Sequence, residues 1–307
     1  MPAACLITII GERQALNLAA RGPWVKPGKH ENNLIAKFRY LLWSAVHLPG
    51  ANKTCVACGS RRTQLIKRKY TTALYRCSAC KLMFRVPKDQ PDMSKAFYDS
   101  EYKQGFTTDC PTPERLDILK RTAFVGTEKD YQVYISVLRA AGVMYGMSIF
   151  DFGCSWGYGS WQMMQKGYDV YSYEIAHSRA QYAETKLGCK MVKPGKCGRK
   201  FDCFFSAHVL EHLNQPGEMW RAARQVLKPG GVVILFLPNG SLSKSNVHSL
   251  WGKIHPLLID SEALLLMAKS AGFSGCTYTS PFNLEEIRQG AQTTQLSGPE
   301  LAIVARR

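Results

Sequence analysis

The segment from Met147 to Glu174 constrains the fold more than any other part of the chain. A short apolar run, Met147 to Phe150, leads into Asp151-Phe152-Gly153-Cys154-Ser155-Trp156-Gly157-Tyr158-Gly159. A helix is predicted from Ser160 to Lys166, then a strand from Asp169 to Tyr173, closed by Glu174. Strand, glycine turn, helix, strand and acid make up the opening unit of a nucleotide-binding α/β domain. Gly153 and Gly157 lack the Cβ that would hold a ligand off the backbone. Glu174 falls about 20 residues past the first glycine, where a carboxylate can take the hydroxyls of an adenosine ribose.

The glycine spacing, G-x-x-x-G-x-G, is not that of the dinucleotide fingerprint, and Asp151 stands just before it. An acid there suits a ligand with an ammonium group and repels a pyrophosphate. S-adenosylmethionine (SAM) carries an ammonium and a sulfonium and no phosphate. Further on, Phe201 to Leu213 reads as a strand running into a helix. Val226 to Asn239 reads as a helix end, a Pro-Gly-Gly turn and a buried strand.

The order D-x-G, acid, F-D, L-E-H, L-K-P-G-G, P-N resembles the class I SAM-dependent methyltransferase family, over about residues 130 to 307. The resemblance implies a Rossmann-like α/β fold with helices on both faces of a seven-stranded, mostly parallel sheet. A predicted helix, Ser261 to Ala271, and strands Ser274 to Thr279 and Leu301 to Arg306 supply its closing hairpin. It also implies SAM contacts at Asp151, Gly153, Gly157 and Glu174, and backbone near Ser206 at the methionine end. In one respect the chain departs from the family. No acid stands between Cys189 and Cys197, where the family usually holds the adenine amino group.

Two C-x-x-C pairs, Cys55/Cys58 and Cys77/Cys80, lie eighteen residues apart, within the spacing of a four-cysteine zinc site. Four protein ligands leave no open position, so such a zinc is structural. Arg61 to Arg76 between the pairs looks like a ribbon hairpin, its basic residues interleaved with tyrosines and apolar positions. It suits docking on the rest of the chain, phosphate tracking or base stacking. The order C-x-x-C-G, Y-R-C-x-x-C, then F-Y-D-x-x-Y resembles bacterial methyltransferases with an N-terminal zinc module. That group includes enzymes acting on sugars and polysaccharide precursors. The resemblance implies that Tyr98 and Tyr102 reach the mouth of the SAM site. The chain then divides into an extension (1–50), a zinc ribbon (51–92), a helical linker or lid (93–145) and the methyltransferase domain (146–307). Apolar residues at 34, 35, 38, 41, 42, 45 and 46 predict an amphipathic helix from Leu34 to Leu48 in the extension.

Of the net charge of +17, residues 1–90 carry +13. That excess implies an anionic partner, a phosphorylated substrate or nucleic acid. No run approaches the ~18 apolar residues of a membrane span. The remaining seven of eleven cysteines are scattered singly, which is not a disulfide framework. With no signal-peptide pattern, a cytoplasmic location is expected.

Methyl transfer needs alignment, exclusion of water and, for a hydroxyl or carbon acid, a base. His208, Glu211 and His212 follow the fourth strand of the domain and would share one helix face. His208 is the first candidate base, since an unperturbed imidazole titrates near neutrality. Glu211 and His212 are expected to face the substrate. His255, beyond Pro238-Asn239, is the second candidate base. The expected reaction is methyl transfer to a small or carrier-linked acceptor, such as a nucleotide-activated sugar. Two alternatives stand beside it: an RNA or DNA methyltransferase clamped by the basic ribbon, and a non-catalytic, zinc-dependent binding protein.

Overall fold

The computed structural model describes residues 33–89, 109–241, 251–252, 255–293 and 295–307. Helix α1 (Asn33–His47) precedes a meander of β1 (Thr63–Lys69), β2 (Thr72–Cys77) and β3 (Met83–Val86). Helices α2 (Pro113–Arg121) and α3 (Gln132–Ala140) lead into β4 (Ser148–Phe152), α4 (Tyr158–Gln165), β5 (Asp169–Tyr173), α5 (His177–Leu187), β6 (Lys190–Met191) and β7 (Phe201–Ala207). A single 3-10 turn, Leu210–His212, separates β7 from α6 (Gly217–Val226). The chain ends with β8 (Leu227–Pro238), β9 (Leu257–Leu258), α7 (Ser261–Ser270), β10 (Ser274–Thr279), α8 (Leu284–Gln289) and β11 (Glu300–Arg306).

The larger sheet has seven strands in the order β10-β11-β8-β7-β4-β5-β6. Only β11 runs against the others. This is the predicted α/β architecture, with its closing hairpin in place. Successive side chains of a strand point to opposite faces. Phe204 therefore packs with Phe150 and Leu235 under α6 and α7, while Phe205 packs with Ile149 and Ile234 under α3. The strand order reverses between β5 and β7, on either side of β4. Ligands of open α/β sheets bind at the carboxyl ends of the strands where that reversal falls.

The ribbon hairpin forms as expected, but its sheet has a fourth strand. β9, from beyond the Pro238-Asn239 loop, pairs with β3. Arg76 reaches Asp260 and Glu262 at 3.3 and 3.0 Å, and Lys69 donates to the Trp251 carbonyl at 2.6 Å. Leu82 and Phe84 join the core formed by Trp220, Leu264 and Met267. Docking thus occupies part of the basic hairpin, while Arg61, Arg62 and Arg68 remain exposed.

Two local expectations fail. Helix α1 turns Tyr40, Trp43 and Ser44 inward and leaves Leu41 and Val46 exposed. The buried Arg85 guanidinium fixes that side by donating to the Tyr40 hydroxyl at 2.6 Å. No α-helix starts after β7, because His208 takes a left-handed φ of +55° that interrupts helical geometry.

Candidate active site

The loop after β4 is a tight turn built on left-handed residues: Gly153 at φ +83°, Ser155 at +55° and Gly157 at +89°. The amides of Gly153 and Cys154 both donate to the Tyr173 carbonyl, at 2.7 and 3.0 Å, tying the turn to the end of β5. A Cβ on Gly153 would lie 2.4 Å from Val209 Cγ2. One on Gly157 would lie 2.8 Å from both Ala183 Cβ and Cys189 Sγ. The first glycine therefore lets Val209 pack against the turn, and the second lets α4 pack on α5.

Glu174 follows β5 directly. Its carboxylate accepts from the amides of Ser155 and Ala176, each at 2.9 Å. Burial pushes its pKa up, and those amides with the Arg179 charge pull partly against that. Asp151 and Ser206 turn away from the cleft. Asp151 is buried beneath the turn and accepts from Ser160 Oγ at 2.5 Å. Ser206 Oγ donates to the Phe152 carbonyl at 2.7 Å. Both belong to central strands buried on two faces, where sequence alternation does not mark which side meets the ligand.

A cleft of about 510 Å³ opens at the carboxyl ends of these strands, with Glu174, Gly153 and Ser155 at one end and Tyr134, His208 and His255 at the other. That size suits a drug-sized ligand. A second hollow, of about 840 Å³, lies among α3, α8 and β10 at the opposite end of the sheet, away from the glycine turn.

His208 Nε2 lies 2.8 Å from Glu300 Oε1 and 3.1 Å from the Tyr134 hydroxyl, which itself donates to Glu300 at 2.5 Å. Its Nδ1 stands 3.6 Å from Glu211 Oε1. Burial works to lower the imidazole pKa, but the Glu211 and Glu300 carboxylates outweigh it and push it up to about 9. The ring therefore carries its proton at neutral pH in this arrangement. Tyr134 and Glu300 escaped the sequence reading because no spacing joins a helix, a turn and the last strand. His255 packs on His212 with ring centroids 4.6 Å apart. Tyr98 and Tyr102 lie outside the described residues.

In the ribbon, the Sγ atoms of Cys55 and Cys80 are 3.4 Å apart and those of Cys58 and Cys77 3.6 Å. All four lie within 4.8 Å of one another. Zinc–sulfur bonds of about 2.3 Å set tetrahedral edges of about 3.8 Å, so the four thiols fit one zinc.

Residues 150–235 match the family model described as a methyltransferase domain. This segment reads as a methyltransferase domain. The match spans the glycine turn, Glu174 and the His208 turn. Among curated proteins, the chain is 26% identical over 141 residues to a ubiquinone biosynthesis O-methyltransferase of Caulobacter vibrioides, covering 42% of this chain and 53% of the relative. It is 26% identical over 171 residues to a tRNA U34 carboxymethyltransferase of a Geobacter species, covering 47% and 50%. The chain thus spans about half the length of these relatives. Among solved structures, it resembles magnesium protoporphyrin IX methyltransferase of Synechocystis PCC 6803 at 16% identity and TM-score 0.47, covering 71% of this chain and all of that one. Among the described residues, no helix is long and apolar enough to cross a membrane.

Proposed function

We propose that this chain transfers a methyl group from SAM to a small or carrier-linked acceptor, such as a nucleotide-activated sugar. The observation that carries the reading is Glu174, fixed by two backbone amides beside the Gly153 turn. A carboxylate held in that way is a preformed acceptor for paired ribose hydroxyls. Bound SAM supplies an electrophilic methyl group and leaves as the neutral thioether S-adenosylhomocysteine. The chain's own part is to bind, align and exclude water. His208 faces the acceptor end, its ring oriented by Glu300 and Tyr134, and is positioned to hold the acceptor's nucleophilic atom. One matched relative is named an O-methyltransferase, which supports oxygen as that atom. Cys55, Cys58, Cys77 and Cys80 are read as ligands of a structural zinc.

The deciding experiment is calorimetric titration of the zinc-replete protein with S-adenosylhomocysteine. Wild type is expected to bind, and Glu174→Ala to bind ~10–100-fold more weakly, since a hydrogen bond to a charged group is worth ~1.5–3 kcal/mol. No binding by wild type would overturn the enzymatic reading. His208→Ala is expected to keep that affinity and lower kcat by roughly 10²-fold, as when one preorganised hydrogen-bond donor is removed, since the protonated ring donates to the acceptor and does not take its proton. A wild-type rate there would remove His208 from the chemistry. The exposed Arg61, Arg62 and Arg68 support a second reading, with nucleic acid as acceptor. A steeply salt-dependent gel shift would bring it forward.

A further inference from the structure

We infer that Arg85, a buried residue of the ribbon, is a positioning residue for the acceptor end of the cleft, because it holds the turn that presents His255. The Gly252 amide donates to the His255 carbonyl at 3.0 Å and closes that turn. Arg85 grips it at both ends. Its Nη1 donates to the Gly252 carbonyl at 2.9 Å, and its backbone amide donates to the Pro256 carbonyl at 2.8 Å. Lys69 holds the Trp251 carbonyl just before it. Trp251 itself is buried against Leu74, Met83 and Leu258. The carbonyls of Trp251, Gly252 and Pro256, on either side of His255, thus all accept from the ribbon.

A guanidinium is a costly choice for this place. Arg85 is 1% exposed. A cation taken out of water costs several kcal/mol unless charge and hydrogen bonds offset it, and an apolar side chain of similar volume often serves stability as well. What the apolar side chain lacks is a planar fork of donors in fixed directions. Here the fork joins three elements: the Tyr40 hydroxyl of α1, the Pro87 carbonyl beyond β3 and the Gly252 carbonyl of the turn. Asp89 pairs with its charge.

His255 is what the turn presents. Its ring packs on His212, and a polar atom of each of Glu211, His212 and His255 lies within 4.8 Å of the other two. All three line the cleft beside His208, whereas Arg85 does not. Arg85 therefore acts through His255. At the other end of the cleft, Glu174 and the Gly153 turn are tied to each other and to β5 by bonds that do not involve the ribbon. The placing of His255 is in this way separable from cofactor binding. Its meaning for the acceptor rests on the methyltransferase reading, since a misplacement of about 1 Å can cost roughly 10²-fold in a reaction that depends on alignment.

The test is a pH titration of the full, zinc-replete chain with isotope-labelled histidine, followed by NMR at the ring Cε1–H signals, with His255→Asn assigning the signal. In Arg85→Met the His255 signal is expected to lose the ring-current displacement from His212. Its midpoint should move by roughly 0.5–1 pH, the spread of histidine values among protein environments. Zinc content and affinity for S-adenosylhomocysteine should match wild type. Folded Arg85→Met with an unmoved His255 titration overturns the inference, as does a shift accompanied by an equal loss of nucleoside binding. Should Arg85→Met lose its zinc, Arg85→Lys, which keeps the charge without the fork, is read by the same signals. Zinc loss in both makes Arg85 a folding residue and also overturns the inference. Wild type that binds no S-adenosylhomocysteine overturns the methyltransferase reading, and the His255 signal still decides whether Arg85 holds the turn.

Discussion

Cys77→Ser is expected to lose its zinc and to unfold far more than the ribbon. Cys77 is fully buried, and Leu82 and Phe84 beside it lie in one core with Trp220, Leu264 and Met267. The ribbon's sheet also closes through β9, and Arg76 pairs with Asp260 and Glu262. Releasing the ribbon therefore uncovers the α6–α7 face of the seven-stranded sheet. Structural zinc in small modules contributes ~10–16 kcal/mol of apparent binding energy. Loss of only ~5 kcal/mol would lower Tm by roughly 10–20 °C, at about 2–4 °C per kcal/mol. Scanning calorimetry with parallel zinc analysis reads both quantities, and Cys110→Ser, at an exposed position, is the control. A Cys77→Ser protein with unchanged zinc and Tm would refute the structural-zinc assignment.

That coupling was the least legible part of the chain. The four cysteines announce themselves by spacing, because a metal site needs its ligands on two short turns. Glu174 and Gly153 are legible for a similar reason: turn, helix and strand fix the distance between them. β9 is two residues long and carries no periodic signal, so nothing in the sequence links it to β3. The same holds for His255 against His212, and for Glu300 against His208. These contacts join parts of the chain that only the packed sheet brings together. The third limit is orientation. β4 is buried along its whole length, so its pattern of apolar residues does not say that Asp151 points inward. The helix expected after β7 failed for a local reason, the left-handed His208.

Asp151→Asn is expected to stabilise the ligand-free protein at alkaline pH while weakening its hold on SAM. Burial pushes the Asp151 carboxyl up to about 7 from an ordinary 3.8, with the Ser160 hydrogen bond working against the shift and the Glu174 charge adding to it. The native state then binds this proton more tightly than the unfolded chain does. The stabilising contribution is complete below pH 3.8 and is lost as pH rises through about 7. At ~1.4 kcal/mol per pKa unit, the full loss is at most ~4 kcal/mol above that range. Asn keeps an oxygen for Ser160 and never ionises. Its advantage in Tm over wild type should therefore be absent near pH 4 and grow to a plateau near pH 8. A difference that ignores pH would sink the argument. The charge that costs stability is also the one that suits the ligand. Asp151 lies beneath the turn, outside contact range of the cleft, so it acts through its field. SAM carries one more positive charge than S-adenosylhomocysteine, and the substitution should weaken SAM the more of the two. Equal losses would mean that Asp151 serves the turn's shape alone.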